Sequence, residues 1–263
     1  LDAKWDEYNQ NNCRLGRLLL KQLIQTDLAI GVSNFNRQEL IDIGFTAAKT
    51  AVVPIFLPVD TWQSLPADTT LQATLRDQNK TNWLSVGRLA PNKALEDIIR
   101  LFHVYKNQMN PQAHLYLVGS QSITLYVAAL KELVAALDLS AHVSFPGRVS
   151  DQQLKTYYQN SHLFISASQH EGFCVPLIES MFFGLPILAR KATAVPETLG
   201  QAGILFNRLG HLEVAQMAHL MLTDPALRQQ IIATQQQRLQ AFLPEAVEAR
   251  LQEALKKLDI PQN

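Results

Sequence analysis

The sequence predicts an α/β fold, built on a doubly wound parallel sheet covered by helices. Two observations carry this prediction: short apolar segments that end in small or polar residues, and stretches of helical periodicity between them. A composition of 47% hydrophobic and 17% charged residues is that of a globular chain. In such folds, right-handed crossovers place the carboxyl ends of the strands at one edge of the sheet, where ligands bind.

The first part of the chain is predicted to form one β-α-β unit. An apolar segment at 28–32 precedes a helical pattern that Gly44 ends, and a second apolar segment follows at 51–54. The stretch 54–82 carries Pro54, Pro58 and Pro66 among scattered polar residues. We therefore expect a linker there.

The remainder of the chain contains six apolar segments that we expect to be strands. They lie at 83–87, 114–119, 142–145, 163–166, 186–189 and 203–206. Between them, 125–137 has helical periodicity. Its apolar face is predicted to carry Leu125, Ala128, Ala129, Leu133, Ala136 and Leu137. Ser150 and Gln153 form a capping box that begins another helix, and the tail at 225–258 is predicted to be helical, with its many glutamines on a solvated face.

Charge and hydropathy exclude several classes of function. The 23 basic and 23 acidic residues give zero net charge, so no bulk field draws nucleic acid or anionic lipid to the chain. Any phosphate must be held by a few placed groups. No apolar stretch reaches the roughly 20 residues that span a bilayer.

The cysteines and the first residues bear on compartment and completeness. Cys13 and Cys174 fit neither a metal-ligand spacing nor a disulfide framework, which favours a reducing compartment, and a chance pairing of the two stays open. The chain begins with Leu1, and its first methionine is Met109. We therefore expect a fragment or a processed chain.

The loop after the first of the six strands carries two cations. Gly87 ends that strand, Arg88 follows it, and Lys93 stands at the entry to the next helix. Glycine permits close backbone approach, a guanidinium forks onto phosphate oxygens, and an ammonium adds a mobile point charge. This arrangement indicates a phosphate contact, and the alternative is an ordinary solvated turn.

The loop after the fourth strand is more specific. Pro176 suits a first helical position and Gly184 a helix end, so a short helix is predicted between them. Gly172 lets the following amides face outward, and the amino terminus of the helix offers free N–H groups to a diphosphate. Glu171 and Glu179 flank this helix start and could accept bonds from sugar hydroxyls. The alternative makes Glu171 a partner of the helix dipole and Glu179 a surface residue.

Two further features are weaker. The segment 145–149, a strand followed by Gly147, is a candidate backbone edge for reading a flat base, and a plain turn is the alternative. His170 is a candidate acid or base, with a structural hydrogen-bonding role as the alternative. The sequence has no Gly-x-Gly-x-x-Gly after a strand, no Walker A motif, no Gly-x-Ser-x-Gly, no zinc spacing and no Asp-x-Asp. We therefore expect no metal and no resident cofactor, with Arg88, Lys93 and helix N–H groups neutralising a diphosphate.

These motifs together resemble those of retaining family 4 glycosyltransferases, the glycosyl transferases group 1 type. The match rests on Glu171-Gly172-Phe173 and Glu179-Ser180-Met181, separated as in the family signature, and on the Gly-Arg-x4-Lys segment from Gly87 to Lys93. The resemblance implies the GT-B fold, in which two Rossmann-like domains face each other across a cleft. It assigns 1–60 to the end of an acceptor domain and its linker, 61–242 to the nucleotide-sugar donor domain, and 243–263 to a helix that crosses back.

The resemblance also implies roles for single residues. Arg88 and Lys93 would grip the donor diphosphate, and Glu179 would accept hydrogen bonds from the ribose. Glu171 would meet the transferred sugar. The other implied donor contacts are Gly87, Arg148 and Val149 near the base, His170, Gly172, Phe173 and Cys174 near the sugar, and Val175, Pro176 and Leu177 at the helix start. The family usually has glycine at the positions of Cys174 and Ser120, which puts sugar identity in doubt.

The implied activity is transfer of a hexose from a nucleotide-diphosphate sugar to a glycan or lipid acceptor with retention of configuration, releasing UDP or GDP. The leaving diphosphate helps to remove the acceptor proton, so Arg88 and Lys93 act by stabilising departing charge. A non-catalytic nucleotide-sugar-binding or assembly subunit is the alternative, and an epimerase or phosphorylase is disfavoured. The implied partners are the donor, the acceptor and the missing amino-terminal domain, with peripheral membrane contact through that domain. Cytoplasmic location, extending to the inner face of the membrane, is the matching expectation.

Overall fold

The structure is a computed structural model that describes residues 3–76, 80–207 and 210–258. The chain divides into two compact units. The smaller unit contains the described residues up to Phe56 and those from Phe242 onward, and the larger unit is Leu57–Ala241.

The helices and strands are numbered in chain order. The helices are α1 Ala3–Lys21, α2 Asn34–Ile43, α3 Val59–Ser64, α4 Thr69–Leu75, α5 Leu95–Gln108, α6 Thr124–Ala136, α7 Asp151–Gln159, α8 Val175–Phe182, α9 Val195–Leu199, α10 His211–Thr223, α11 Pro225–Leu239 and α12 Pro244–Leu255. The strands are β1 Ala29–Gly31, β2 Thr50–Val52, β3 Thr81–Val86, β4 Ala113–Val118, β5 Val143–Gly147, β6 Leu163–Ser166, β7 Ile187–Arg190 and β8 Ile204–Phe206.

The smaller unit confirms the predicted β-α-β arrangement. Strands β1 and β2 pair in parallel, and α2 lies between them in the chain. Ser33 begins α2 because its hydroxyl accepts a bond from the Asn36 amide at 3.1 Å, and Gly44 ends it with φ 125°. Helix α12 belongs to the same unit, where Lys257 Nζ donates to the Thr50 carbonyl at 2.7 Å.

The larger unit is built on a six-stranded parallel sheet with the order β5-β4-β3-β6-β7-β8. All six predicted strands are confirmed. The chain runs outward from β3 in one direction and from β6 in the other, so the strand order reverses between these two neighbours. In doubly wound folds, ligands bind in the crevice at the carboxyl ends of the strands flanking this switch point. The loops after β3 and β6 are therefore the first place to look for a site.

The prediction of a linker over 54–82 is wrong where helices α3 and α4 form within that stretch, and Trp62 of α3 is only 6% exposed. Asp68 caps α4 by accepting a bond from the Leu71 amide at 2.9 Å. The three prolines suggested irregular chain, but Trp62 and Leu75 anchor the segment in the core.

The predicted apolar face of α6 is also wrong. Leu125 is 75% exposed, whereas the buried residues of this helix are Tyr126, Val127, Leu130 and Val134. Apolar residues occur on both sides of this helix, and Lys131 and Glu132 mark the exposed side. On the buried side, the Tyr126 hydroxyl donates to Glu96 at 2.6 Å and accepts from the Leu95 amide at 3.1 Å.

The carboxyl-terminal tail is helical, as predicted, and consists of two helices separated by a short 3-10 turn at Gln240–Phe242. The prediction of a solvated glutamine face holds for Gln229, Gln230, Gln236, Gln237 and Gln240. It is wrong for Gln235, which is fully buried and donates from Nε2 to the Leu185 carbonyl at 2.8 Å.

Lys155 ties α3 to α7. Its buried ammonium donates to the carbonyls of Trp62 at 2.8 Å and Leu65 at 2.6 Å. Replacing Lys155 by methionine keeps the apolar stem but leaves these carbonyls without a donor, and we expect the free energy of unfolding to fall by about 2 kcal/mol. Urea denaturation measures this change. Lys131→Met, at an exposed position of α6, is the control, and equal stability of the two variants would contradict the prediction.

Candidate functional site

Three neighbouring strands end in glycine at the edge of the sheet where the crevice lies. Gly87, Gly119 and Gly147 have φ values of 148°, 147° and 79°, which favour glycine over residues with a side chain. A Cβ atom on Gly119 would overlap the Gly87 carbonyl. The Gly119 amide donates to the Gly147 carbonyl at 2.9 Å. The rim of the crevice is therefore bare backbone that a ligand can approach closely.

Hydrogen bonds join the loop after β3 to the loop after β6. The Asn92 carbonyl accepts from the Gln169 amide at 2.8 Å and from the Ser168 hydroxyl at 3.2 Å. The Asn92 side chain donates to the His170 carbonyl at 3.3 Å. The structure thus brings together the two segments that the sequence analysis identified separately.

Lys93 and Glu171 meet between these two loops. Lys93 Nζ lies 2.6 Å from Glu171 Oε1, and Glu171 is only 9% exposed. Thr193 holds the backbone of Glu171 from the far side, because its hydroxyl accepts from the Glu171 amide and donates to the Glu171 carbonyl, both at 2.8 Å. Glu171 is therefore held at both its backbone and its side chain, and its charge is balanced by Lys93.

Arg88 is exposed at the mouth of the same pocket. Within the described part of the chain, no hydrogen bond or ion pair engages its guanidinium. The pocket is lined by Ser85, Val86, Gly87, Arg88, Leu89, Lys93, Leu95, Leu117, Val118, Ser166, Glu171 and Cys174. One guanidinium, one ammonium and one buried carboxylate thus share a single depression with bare glycine backbone beside it.

Cys174 shapes the inner wall of this pocket. It has a left-handed conformation with φ 74°, is 7% exposed, and stands directly before α8. Burial, together with the nearby Glu171 carboxylate, raises the pKa of its thiol, so Cys174 stays neutral. The other cysteine, Cys13, has a side chain outside the described residues.

Helix α8 begins next to the pocket, at the position that Pro176 predicts. Pro176 lies in its first turn, and Gly184 follows its end with φ 63°. The loop before it is held in place because Thr198 Oγ1 donates to the Phe173 carbonyl at 2.6 Å. Leu177 is buried, and Val175 and Pro176 are partly exposed. The amino terminus of α8 contributes a partial positive charge at this place.

Glu179 lies one turn into α8, and its carboxylate is oriented by Tyr158. Tyr158 Oη donates to Glu179 Oε2 at 2.6 Å. Burial raises the pKa of Glu179, and the hydrogen bond from Tyr158 partly opposes this rise. Glu179 is thus a half-buried, hydrogen-bonded carboxylate rather than the surface residue of the alternative interpretation.

The remaining predicted residues are less closely associated. Arg148 is exposed and Val149 partly exposed after β5, two strands from β3, and neither lines the pocket. His170 is exposed, and its carbonyl accepts bonds from Asn92 and Ser168.

The sequence analysis missed four residues that support the site: Asn92, Tyr158, Thr193 and Thr198. Each acts through one to three hydrogen bonds to a loop or side chain distant in sequence. Only Asn92 lies in a motif, the Gly-Arg-x4-Lys segment, and a polar side chain next to Lys93 was the available signal. The described residues contain no group of three or more acidic, histidine or cysteine side chains arranged to hold a metal ion. None of the described helices is long and apolar enough to cross a bilayer.

Several known proteins resemble the chain. It is 24% identical over 193 residues to the O-antigen chain mannosyltransferase B of Escherichia coli, covering 71% of this chain and 49% of that protein. It is 37% identical over 108 residues to the mannosylfructose-phosphate synthase of Agrobacterium fabrum, covering 39% of this chain and 24% of that protein. The chain therefore spans about half the length of the first relative and a smaller part of the second.

Solved structures share the fold. Anabaena HepE in complex with UDP-glucose superposes with a TM-score of 0.80 at 23% identity, over 96% of this chain and 69% of that one. The family model described as glycosyl transferases group 1 matches residues 67–238, which is more than half of the chain. With a parallel α/β architecture and this match, the chain belongs to the glycosyl transferases group 1 family and has the GT-B type of fold.

Proposed function

We propose that this chain carries the donor-binding half of a retaining hexosyltransferase that uses a nucleotide-diphosphate sugar. One observation carries the proposal: Arg88, Lys93 and Glu171 converge on one pocket at the switch point of the sheet, beside the amino terminus of α8. Two cations and a helix amino terminus suit a diphosphate. A carboxylate at the inner end suits the hydroxyls of a sugar.

The residues would divide the donor between them. Arg88 and Lys93 hold the diphosphate, with the first amides of α8 completing its ligands. Glu171, Cys174 and the backbone from Gly172 to Phe173 face the transferred sugar. Glu179 accepts hydrogen bonds from the ribose, and the segment of Arg148 and Val149 meets the base. HepE, solved with UDP-glucose, supports a nucleotide sugar as the ligand class.

Transfer in this site would depend on stabilising the leaving group. The bond from the anomeric carbon to the diphosphate breaks, the acceptor oxygen bonds to that carbon on the same face, and the acceptor proton passes to the departing diphosphate. Negative charge grows on the diphosphate as the bond breaks, so fixed cations act more strongly on the transition state than on the bound donor. Arg88 and Lys93 would balance the charge on the leaving diphosphate, so this step would need no additional acidic group.

The alternative function is nucleotide-sugar binding without transfer, because the same pocket would hold a donor whether or not transfer follows. The acceptor, a glycan or a lipid-linked sugar, would then be bound elsewhere. Donor binding without product, when an acceptor and an amino-terminal domain of a family member are supplied, would favour this alternative.

Titration calorimetry tests the shared part of both functions. UDP, GDP and ADP are titrated separately into the chain, with and without EDTA, and the matching monophosphates serve as controls. We expect one diphosphate to bind in the presence of EDTA. The matching monophosphate should bind at least about tenfold more weakly, because one charged contact is lost. No binding of any of the three, or binding equal to that of the monophosphates, would contradict the proposed site.

A further inference from the structure

We propose that Tyr158 is a positioning residue for donor recognition, which fixes Glu179 so that one carboxylate oxygen faces the ribose hydroxyls. This inference rests on the proposed function, because it deepens the role of Glu179. Tyr158 itself lies behind Glu179 and would touch no part of the donor.

The hydroxyl of Tyr158 has a fixed place. The ring is 1% exposed and stacks on Phe183 with centroids 5.3 Å apart and planes at 13°. Trp62 packs edge-on against both rings, at 6.4 Å from Tyr158 and 5.4 Å from Phe183. A ring enclosed in this way cannot turn aside, so its Oη stays in place beside Glu179.

Glu179 takes that bond on one oxygen. Tyr158 Oη lies 2.6 Å from Glu179 Oε2, which leaves Oε1 as the oxygen that a ligand can use. The last torsion of a glutamate is broad, so an unsupported carboxylate samples many orientations. With Oε2 held, the plane of the group is set before the ligand arrives. Preorganisation of this kind lowers the entropic cost of binding.

One carboxylate oxygen suits the ribose of a nucleoside diphosphate. Oε1 has two lone pairs, and the adjacent 2′ and 3′ hydroxyls of ribose each have one proton to donate. A deoxynucleotide lacks one or both donors and leaves a half-buried carboxylate unsatisfied. The pair of Tyr158 and Glu179 therefore favours ribonucleotide donors over deoxyribonucleotide ones.

A merely structural role for Tyr158 predicts a different pattern. If the tyrosine only satisfied a buried carboxylate, its loss would destabilise the fold and weaken every nucleotide to the same extent. If it positions Glu179, its loss weakens ribonucleotides and spares nucleotides without ribose hydroxyls. Ligand-dependent loss is therefore the distinguishing readout.

The experiment compares Tyr158→Phe with Tyr157→Phe in the 263-residue chain. Both changes remove one hydroxyl from a buried tyrosine of α7, but Tyr157 packs against Tyr116, with ring centroids 5.3 Å apart. Calorimetry gives the Kd of whichever of UDP, GDP and ADP binds the unmodified chain most tightly, and of its 2′,3′-dideoxy form. We expect Tyr158→Phe to weaken binding of the ribonucleotide about tenfold, as for a lost hydrogen bond to a charged group. Binding of the dideoxy form should weaken less than about twofold.

Glu179→Gln provides a second test that does not depend on Tyr158→Phe folding. The amide oxygen of the glutamine would accept from Tyr158 Oη, which turns its NH2 group toward the ribose, where it cannot accept a hydrogen bond. We expect this variant also to lose discrimination between the ribonucleotide and its dideoxy form. Thermal unfolding of each variant checks that the fold is retained.

The outcomes separate this inference from the proposed function. The inference is supported if Tyr158→Phe and Glu179→Gln selectively weaken binding of the ribonucleotide and Tyr157→Phe leaves binding unchanged. It is overturned if Tyr158→Phe weakens binding of both nucleotides equally or of neither, or if Glu179→Gln still discriminates between them. These outcomes would leave the proposed function intact. If the unmodified chain binds none of the three diphosphates, both fail together.

Discussion

Replacing Lys93 by alanine should weaken binding of the preferred nucleoside diphosphate on the order of 100-fold. The ammonium supplies a direct charge to the diphosphate and also neutralises Glu171, from which it lies 2.6 Å. Without it, a carboxylate that is only 9% exposed faces an anionic ligand unpaired. In an assay of sugar transfer, the loss of one such contact should lower the rate by about 10²–10³. Calorimetry at fixed salt measures the binding change.

Glu171, the partner of Lys93, tests whether negative charge at this position lowers the affinity for the diphosphate. Glu171→Gln removes negative charge next to the diphosphate and frees Lys93, so we expect this variant to bind the diphosphate at least as tightly as the unmodified chain. The double variant Lys93→Ala with Glu171→Gln should bind more tightly than Lys93→Ala alone. Arg100→Ala, at an exposed position of α5 outside the pocket, is the control for loss of one positive charge. A similar loss in Arg100→Ala and Lys93→Ala would contradict the assignment.

Gly119→Ala should destabilise the larger unit by more than about 3 kcal/mol and abolish diphosphate binding. Two causes add. The φ of 147° is strained for a residue with a side chain, and the new Cβ would overlap the Gly87 carbonyl on the neighbouring strand. Gly87 adjoins Arg88, so any shift that relieves the overlap moves the loop that carries the first cation. Urea denaturation and calorimetry follow the two effects.

Gly16→Ala is the matched control for this glycine. Gly16 lies within α1, and no atom comes within 4 Å of a Cβ built on it. We expect Gly16→Ala to raise the free energy of unfolding by roughly 0.5–1 kcal/mol, since glycine is unfavourable inside a helix. A Gly119→Ala variant as stable as Gly16→Ala, and still able to bind the diphosphate, would show that the rim of the crevice tolerates a side chain.

The sequence predicted the strands of the larger unit well because each is a short apolar run bounded by small or polar residues. Helix α8 was predicted for a similar reason, since Pro176 and Gly184 mark its two ends. The orientation of α6 was predicted wrongly, because apolar residues such as Leu125 occur on the exposed side, beside Lys131 and Glu132, as well as on the buried side. The packing of Trp62 is not evident from the sequence, because the prolines around it indicate irregular chain.

The candidate site was only partly accessible from the sequence. Arg88, Lys93, Glu171 and Glu179 were identified from motifs, but the pairing of Lys93 with Glu171 depends on two loops separated along the chain by β4, β5 and β6. The bond from Tyr158 to Glu179 likewise joins α7 to α8 across β6. No local pattern encodes such contacts, which arise from the strand order of the sheet.

A crystal structure of the chain with its preferred nucleoside diphosphate tests the central claim most directly. We predict the diphosphate between the loops after β3 and β6, with its oxygens within hydrogen-bonding distance of Arg88, Lys93 and the first amides of α8. The ribose hydroxyls should bond to Glu179 Oε1, with Oε2 still held by Tyr158. A diphosphate bound away from both cations, or a ribose that makes no contact with Glu179, would contradict the account.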